Sequence, residues 1–481
     1  MSDQHTADIA GFMGDPVIRT PNLDKLAEEG TVFDAAYTSC PLCAPSRTSF
    51  LTGQYPSKMD VYGNETPFPS DQVTFTHTLA SQGYDTTLCG RMHFIGEDQR
   101  HGFANRLVGD ICHPFWGNTH DVREDIGNFG PAFAAKRCLD IIGKGDSPVL
   151  AYDRDVVKAA EDYLNKDYEN PQFMVVGTYA PHFPYVGSPD LVDYYKEKMD
   201  DPKANLSTMN YDLNAIKHKF DKTSMENIKE LRAAYYAMIE TIDKQVGQVR
   251  HSWESYLKRN NRQGIFIYLS DHGDQIGERD LYGKQTFFEH SVKIPVVMQG
   301  VNIPEGKRIK DLVSIMDFGP TLCEFTGAEL PPDQDGISLV ETIQGQKSLS
   351  NRVVCSEFME KDYKGELMPS KMVRKGNWKL ISYQGYEEED LLFNLEEDPH
   401  ELTNVARVFP GILEELREAL HASWDTEKMI SGAKKKEKHI ALLKKWGSKV
   451  NLRSEDAWKS PESVKDAPKE AIKRTNDYYL L

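Results

Sequence analysis

A few short stretches of this chain bring together residue types that do chemistry. In Cys43-Ala44-Pro45-Ser46-Arg47-Thr48-Ser49-Phe50-Leu51-Thr52-Gly53 a thiol stands at a turn entering a short helix that ends at a glycine. The first amide N–H groups and the dipole of such a helix favour an anion there, and Arg47 adds a permanent positive charge one turn on. A nucleophile beside an anion site is the chemistry this spacing allows. The bland alternative is a buried cysteine serving as a small apolar residue. Further along, the apolar run Gly264–Leu269 passes straight into Ser270-Asp271-His272-Gly273. That puts a carboxylate and an imidazole beyond the carboxyl end of a strand, where open parallel sheets hold their ligands. Gly90-Arg91-Met92-His93 follows a second strand pattern, and Pro181-His182-Phe183-Pro184 follows a third. By position alone each His is a hydrogen-bonded loop residue, Asp3 and Gln4 are frayed terminal residues, and Lys284 is solvated surface.

The elements that must position these groups read as α/β. Phe173–Val176 is a short apolar run suited to a buried parallel strand, and Gly264–Leu269 and Ile294–Val297 read as further apolar strands. Thr20-Pro21 opens a helix that Gly30 stops. Residues 153–164 have helical spacing, and Met225–Val249 predicts a long helix with Leu231, Tyr235, Met238, Ile239, Ile242 and Val246 on its core face. Near Leu349 the pattern changes: Lys375-Gly376-Asn377 marks a hairpin and Gly411–Trp424 a helix. The expected division is a catalytic unit over 1–348, a small α+β unit over 349–425, and a charged, mostly solvated tail over 426–481. The apolar end of that tail, Tyr478–Leu481, suits docking on another copy of the chain.

Composition removes some function classes. The 481 residues carry a net charge of −17, which disfavours nucleic acid, since phosphate backbones need a basic face. No apolar run is long enough to span a bilayer. Seven scattered cysteines make no disulfide framework or metal-finger spacing. With the polar start Met1-Ser2-Asp3-Gln4, this predicts reduced thiols in a cytoplasmic protein without a signal peptide.

Cys43-x-Pro45-Ser46-Arg47 with Leu51-Thr52-Gly53 resembles the signature of the type I, formylglycine-dependent sulfatases of the alkaline phosphatase superfamily. Gly96–Asp110 and the Asp271-His272 pair resemble the choline-sulfatase and phosphonate monoester hydrolase branch. The resemblance implies a mixed, mostly parallel sheet sandwiched by helices, with a smaller C-terminal subdomain of antiparallel sheet plus helix. It implies that Cys43 is oxidised by a formylglycine-generating maturation enzyme. It implies one divalent ion, Ca²⁺ ahead of Mn²⁺ or Mg²⁺, held by Asp3, Gln4, residue 43, Asp271 and His272. Arg47, Arg91, His93, His182 and Lys284 are the implied catalytic partners. Arg91 stands where Lys is commoner and, with His93, would hold the hydroxyls of the hydrate. His182 would protonate the leaving group, and His93 would then strip the second hydroxyl. The family begins with an apolar strand leading into the first metal-binding Asp. Here Asp3 is present and most of that strand is not, as in a shortened chain or one whose start is misassigned, and any upstream targeting signal would be hidden with it. The expected activity is hydrolysis of a carbohydrate or small-alcohol sulfate monoester. Two readings compete: a phosphodiester or phosphonate monoester hydrolase using the same site, and a non-catalytic anion-binding protein if Cys43 stays a thiol.

Overall fold

The computed structural model describes residues 1–481 except 113–115, 117–123, 135–136, 203–223, 363, 451–456, 466–471 and 474–481. Its strands are β1 (Thr31–Tyr37), β2 (Asp85–Gly90), β3 (Asn105–Arg106), β4 (Ile141–Lys144), β5 (Gln172–Gly177), β6 (Tyr185–Gly187), β7 (Ile265–Leu269), β8 (Val296–Gly300), β9 (Lys307–Ser314), β10 (Val353–Lys361), β11 (Leu367–Lys375), β12 (Trp378–Tyr383), β13 (Leu391–Asn394) and β14 (Ile472–Lys473). The order β3-β2-β5 is parallel throughout. In β7-β8-β1-β9, β8 runs against both neighbours while β1 and β9 are parallel. Residues 2 and 3 lie between these two groups, with parallel bridges from Ser2 to Ser270 and from Asp3 to Pro181.

Successive strand side chains point to opposite faces, and two cores form accordingly. Val32, Cys89, Tyr268 and Val297 pack with Val156, Met238, Ile242 and Val249 from the helices Pro148–Leu164 and Met225–Arg259. Their neighbours Phe33, Leu88, Leu269 and Val296 pack with Phe50, Phe75 and Leu322 from the helices Cys43–Thr52, Phe75–Ser81 and Phe318–Thr326. Each such large apolar side chain contributes roughly 1.5–3 kcal/mol by leaving water. The long helix continues past Val249 to Arg259, because Arg250–Arg259 contains no residue that breaks it.

β10 to β13 form an antiparallel sheet. One face packs Met372, Ile381 and Phe393 against Leu281, Phe287 and Phe288 of the larger unit. The other packs Val373, Leu380 and Leu392 against Leu416 and Leu420 of the helix Pro410–His421. The charged tail forms a mostly exposed helix that is anchored to the rest of the fold at a few points. Its helix, Thr426–Val450, buries Met429 and Ala433 beside that sheet, and Lys444 pairs with Glu65 at 2.5 Å. Trp458 sets its ring edge-on to Tyr152 at 5.3 Å, and its indole N–H donates to Asp155. Sequence periodicity misses these contacts because Met429, Ala433 and Trp458 are isolated in charged runs and Lys444 is one lysine among many. Tyr478–Leu481, expected to dock on another copy, lies outside the described residues. No helix among the described residues is long and apolar enough to cross a membrane.

Candidate active site

Cys43 is the first residue of its helix, and Gly53 ends that helix with φ +70°, a conformation glycine adopts at little cost. Asp271 and His272 follow β7, and Asp3 follows the residues seated beside it. One potential ligand atom from each of Asp3, Cys43, Asp271 and His272 lies within 4.8 Å of the others, and all four residues are buried. Sites more than two hundred residues apart in sequence therefore converge, as the sequence requires if they act together.

The surrounding bonds fix how each group presents itself. The Nδ1 of His272 is 3.0 Å from the Gly273 carbonyl oxygen, so it carries the proton. The lone pair on Nε2 then points toward the Cys43 Sγ, 3.2 Å away. Arg47 donates through Nε to Asp271 Oδ2 at 2.8 Å and through Nη2 to Asp3 Oδ2 at 3.0 Å. Lys284 Nζ lies 2.8 Å from Sγ. Burial and the neighbouring Asp3 would raise the Cys43 thiol; Lys284, and then His272 in its protonated form, outweigh them and hold it below the ordinary thiol value. Burial likewise opposes the Asp3 charge, but Arg91 and Arg47 hold its carboxyl well below the usual carboxylate range.

Gln4 has φ +71° and its backbone N–H donates to Asp271 at 3.0 Å. Its side-chain amide N–H₂ donates to Asp274, which turns Oε1 away, buried and with no hydrogen-bond partner. Two carboxylates, an imidazole whose Nε2 faces inward and residue 43 form a donor set that fits one divalent cation.

The remaining predicted residues surround this cluster with unequal roles. Arg91 is buried and each of its guanidinium nitrogens has a partner. It donates to Asp3, to Asp110 at 3.1 Å, to Cys112 Sγ at 3.0 Å and to His93 Nδ1 at 2.9 Å, and it lies over the Tyr179 ring. These bonds give it a positioning role in addition to the expected one at the hydrate's hydroxyls. An arginine has no lone pair to offer, so His93 Nδ1 must be the acceptor and Nε2 must bear the proton. His93 thus presents a donor N–H at Nε2. Burial, reinforced by Arg91, keeps it neutral, with its pKa well below the usual histidine value. His182 donates from Nδ1 to the Phe183 carbonyl at 2.7 Å, leaving Nε2 as an acceptor. Burial and then Lys284 hold its pKa well below the ordinary value as well, so it rests neutral and needs a proton before it can act as an acid.

Sequence reasoning missed several supports. Asp110 accepts from the backbone N–H groups of His93 at 2.8 Å and Cys112 at 2.9 Å as well as from Arg91. Asn64 accepts from Ala44 N–H at 3.0 Å and sets its amide nitrogen 3.9 Å from Cys43 Sγ. Both lie in irregular segments with no spacing that announces them. Asp274, which anchors Gln4 and the Tyr185 hydroxyl, sits three residues past Asp271, and that proximity was a usable signal.

Comparison with known proteins agrees with this geometry. The profile of the Sulfatase family matches residues 1–328. The chain belongs to the sulfatase family. A second profile, N-sulphoglucosamine sulphohydrolase, C-terminal, matches residues 277–426 of this sulfatase. The sulfatase is 32% identical over 448 residues to a choline-sulfatase of Rhizobium meliloti (strain 1021), covering 85% of this chain and 83% of that one. It is 26% identical over 511 residues to arylsulfatase K of Homo sapiens, covering 97% and 90% respectively. Among solved structures, a phosphonate monoester hydrolase of Agrobacterium radiobacter superposes with a TM-score of 0.70 at 22% identity, over 88% of this chain and 94% of that one. A protein in complex with its substrate D-glucosamine-2-N,6-O-disulfate superposes with a TM-score of 0.71 at 21% identity, over 90% and 97%. At those identities the two structures establish the shared fold of the sulfatase.

Proposed function

We propose that the protein releases inorganic sulfate from an organic sulfate monoester, using an oxidised residue 43 beside one divalent cation. The observation that carries this reading is the convergence of Asp3, Cys43, Asp271 and His272 within 4.8 Å, inside a chain of the sulfatase family. Cys43 Sγ stands in for an oxygen of formylglycine, whose hydrated aldehyde would supply the nucleophile. Asp3, Asp271, His272 and Gln4 would hold the cation, which supplies Lewis-acid stabilisation of oxyanion charge. We assign Ca²⁺ ahead of Mn²⁺ or Mg²⁺ from the oxygen-rich donor set.

The chain's own groups then have separable tasks. Arg47 holds both carboxylates in place and, after Arg91, helps keep Asp3 ionised. Lys284, beside the reacting atom, offsets negative charge on the ester oxygens. His182 takes up a proton from water at Nε2 when an anion enters beside it, and delivers that proton to the departing alcohol oxygen. His93 offers its Nε2–H to an oxygen. Arg91 and Asp110 hold His93 in the tautomer that makes this possible.

The choline-sulfatase relative supports a small-alcohol ester, and the C-terminal profile supports a sulfated saccharide. The test uses protein co-expressed with a formylglycine-generating enzyme and loaded with Ca²⁺. It is assayed against choline O-sulfate, glucosamine 6-sulfate, 4-nitrophenyl sulfate and a phenyl phosphonate monoester. Sulfate release with conversion at position 43 in the peptide mass is the expected result. Faster turnover of the phosphonate than of every sulfate ester would give the rival hydrolase the site. A retained thiol and no turnover of any ester would make this an anion-binding protein.

A further inference from the structure

Lys284 is carried by a segment whose backbone is unfavourable at several points. Ile276, Arg279, Asp280 and Gln285 have φ of +42°, +60°, +55° and +74°. Residues other than glycine seldom occupy that left-handed region, and for a β-branched residue such as Ile276 it is an outlier. Such a backbone persists only where its surroundings over-determine it. The larger unit supplies part of the restraint, close to the lysine. Gly283 N–H donates to Asp274 Oδ1 at 2.9 Å, Gln275 N–H to the Gly283 carbonyl at 2.7 Å, and Gln285 N–H to the Pro41 carbonyl at 3.0 Å.

The C-terminal unit supplies the rest. Leu281, Phe287 and Phe288, which flank Lys284 in the chain, pack against the β10–β13 sheet. Beside them lies Glu401, beyond the end of β13, with a side chain only 1% exposed. Its Oε2 accepts from Glu289 N–H at 2.9 Å and lies 3.6 Å from Arg279 Nη2. Its Oε1 is 2.7 Å from Lys379 Nζ on β12, and that lysine also pairs with Glu289 at 2.7 Å. Arg279 in turn donates to the His400 carbonyl and stacks over the Phe288 ring at 4.0 Å. One carboxylate therefore grips the segment at Arg279, ahead of the lysine, and at Glu289, behind it. A buried ion network adds little net stability over apolar contact of the same volume; its better-attested use is to fix one geometry.

We infer that Glu401 is a positioning residue: by holding Arg279 and the Glu289 amide, it keeps the strained segment in the form that sets Lys284 against residue 43. The C-terminal unit thereby acts on the reaction through Lys284, although it places no group of its own there.

The test follows acetylation of individual lysines by N-hydroxysuccinimidyl acetate in the full-length, metal-free protein with Cys43 unconverted, read by peptide mass. Glu401→Ala removes the grip on both ends and leaves Lys379 paired with Glu289. Lys284 is 3% exposed in the parent, and its labelling rate should rise about 10-fold in this variant. Lys371, wholly buried on β11, should stay within about twofold of its parent rate. Arg279→Met, which removes the other side of the contact, should release Lys284 in the same way. Glu401→Gln keeps an acceptor for the Glu289 amide and should hold the Lys284 rate within about threefold of the parent. On converted, Ca²⁺-loaded enzyme, Glu401→Ala should lower kcat/KM for 4-nitrophenyl sulfate about 10-fold, and should lower it no further when added to Lys284→Met. That catalytic readout rests on the proposed sulfate chemistry; the labelling needs no turnover and decides the role of Glu401 even if the parent releases no sulfate. Parallel labelling of Lys284 and Lys371 would make Glu401 a general stabilising contact and overturn the proposal. Continued protection of Lys284 in both Glu401→Ala and Arg279→Met would overturn it as well.

Discussion

Replacing Arg91 by lysine exchanges one cation for another and, on this structure, is not conservative. The guanidinium bridges Asp3, Asp110 and His93 from separate nitrogens while lying over Tyr179. A lysine has a single charged point and cannot reproduce that fork. If it reaches Asp3, the charge-assisted bond to Asp110 is lost, at about 1.5–3 kcal/mol. The bond to His93 is lost as well, at about 0.5–1.5 kcal/mol. The loss is bounded, because Asp3 keeps Arg47 at 3.0 Å and Asp110 keeps the His93 and Cys112 amides. The expected cost is about 3 kcal/mol of stability in the metal-free protein, read from urea denaturation. With Nδ1 no longer held as an acceptor, His93 samples both tautomers, and kcat/KM for sulfate release should fall by roughly 10- to 100-fold. A stability change under about 1 kcal/mol together with kcat/KM within about threefold of the parent would refute the assignment of Arg91 as the bridge.

Three other outcomes follow from particular contacts. Lys284→Met removes the cation 2.8 Å from residue 43 and should lower kcat/KM about 100-fold, measured on the converted, metal-loaded enzyme; a change under about threefold would remove Lys284 from the mechanism. Gly177→Ala would bring a Cβ within 2.0 Å of the Arg91 carbonyl oxygen; because that obstacle is backbone, a loss of about 3 kcal/mol or more is expected in the same denaturation assay. His101, packed between Phe68 and Phe94, has its pKa pushed down to about 4 by burial, which outweighs the pull of Asp98 at 3.3 Å. The unfolded chain therefore binds the proton more readily, so stability falls as pH drops from 6.5 through 4. His101→Phe should flatten that window by roughly 2 kcal/mol, and a variant with an unchanged pH profile would refute it.

The buried contacts of Trp458 show where local reading stops. Strand runs such as Phe173–Val176 are legible because a parallel strand between helical layers has to be continuously apolar. The helix Met225–Arg259 is legible because its core face repeats at helical spacing. The docking of Trp458 on Tyr152 rests on one aromatic residue in a charged stretch, which leaves no period to detect.

For the chemistry the division is similar. The chain alone determined which side chains are capable of it, because a thiol at a helix start and an Asp-His pair after a strand are local patterns. Tautomers, charge states and the split between reacting and positioning groups came only from tertiary packing. His93 is a donor because Arg91 occupies its other nitrogen, and Arg91 is fixed because Asp110 opposes it. Those partners come from separate segments, and burial makes each contact strong enough to set a proton's place. No spacing along one chain can encode a relation that exists only between surfaces brought together by folding.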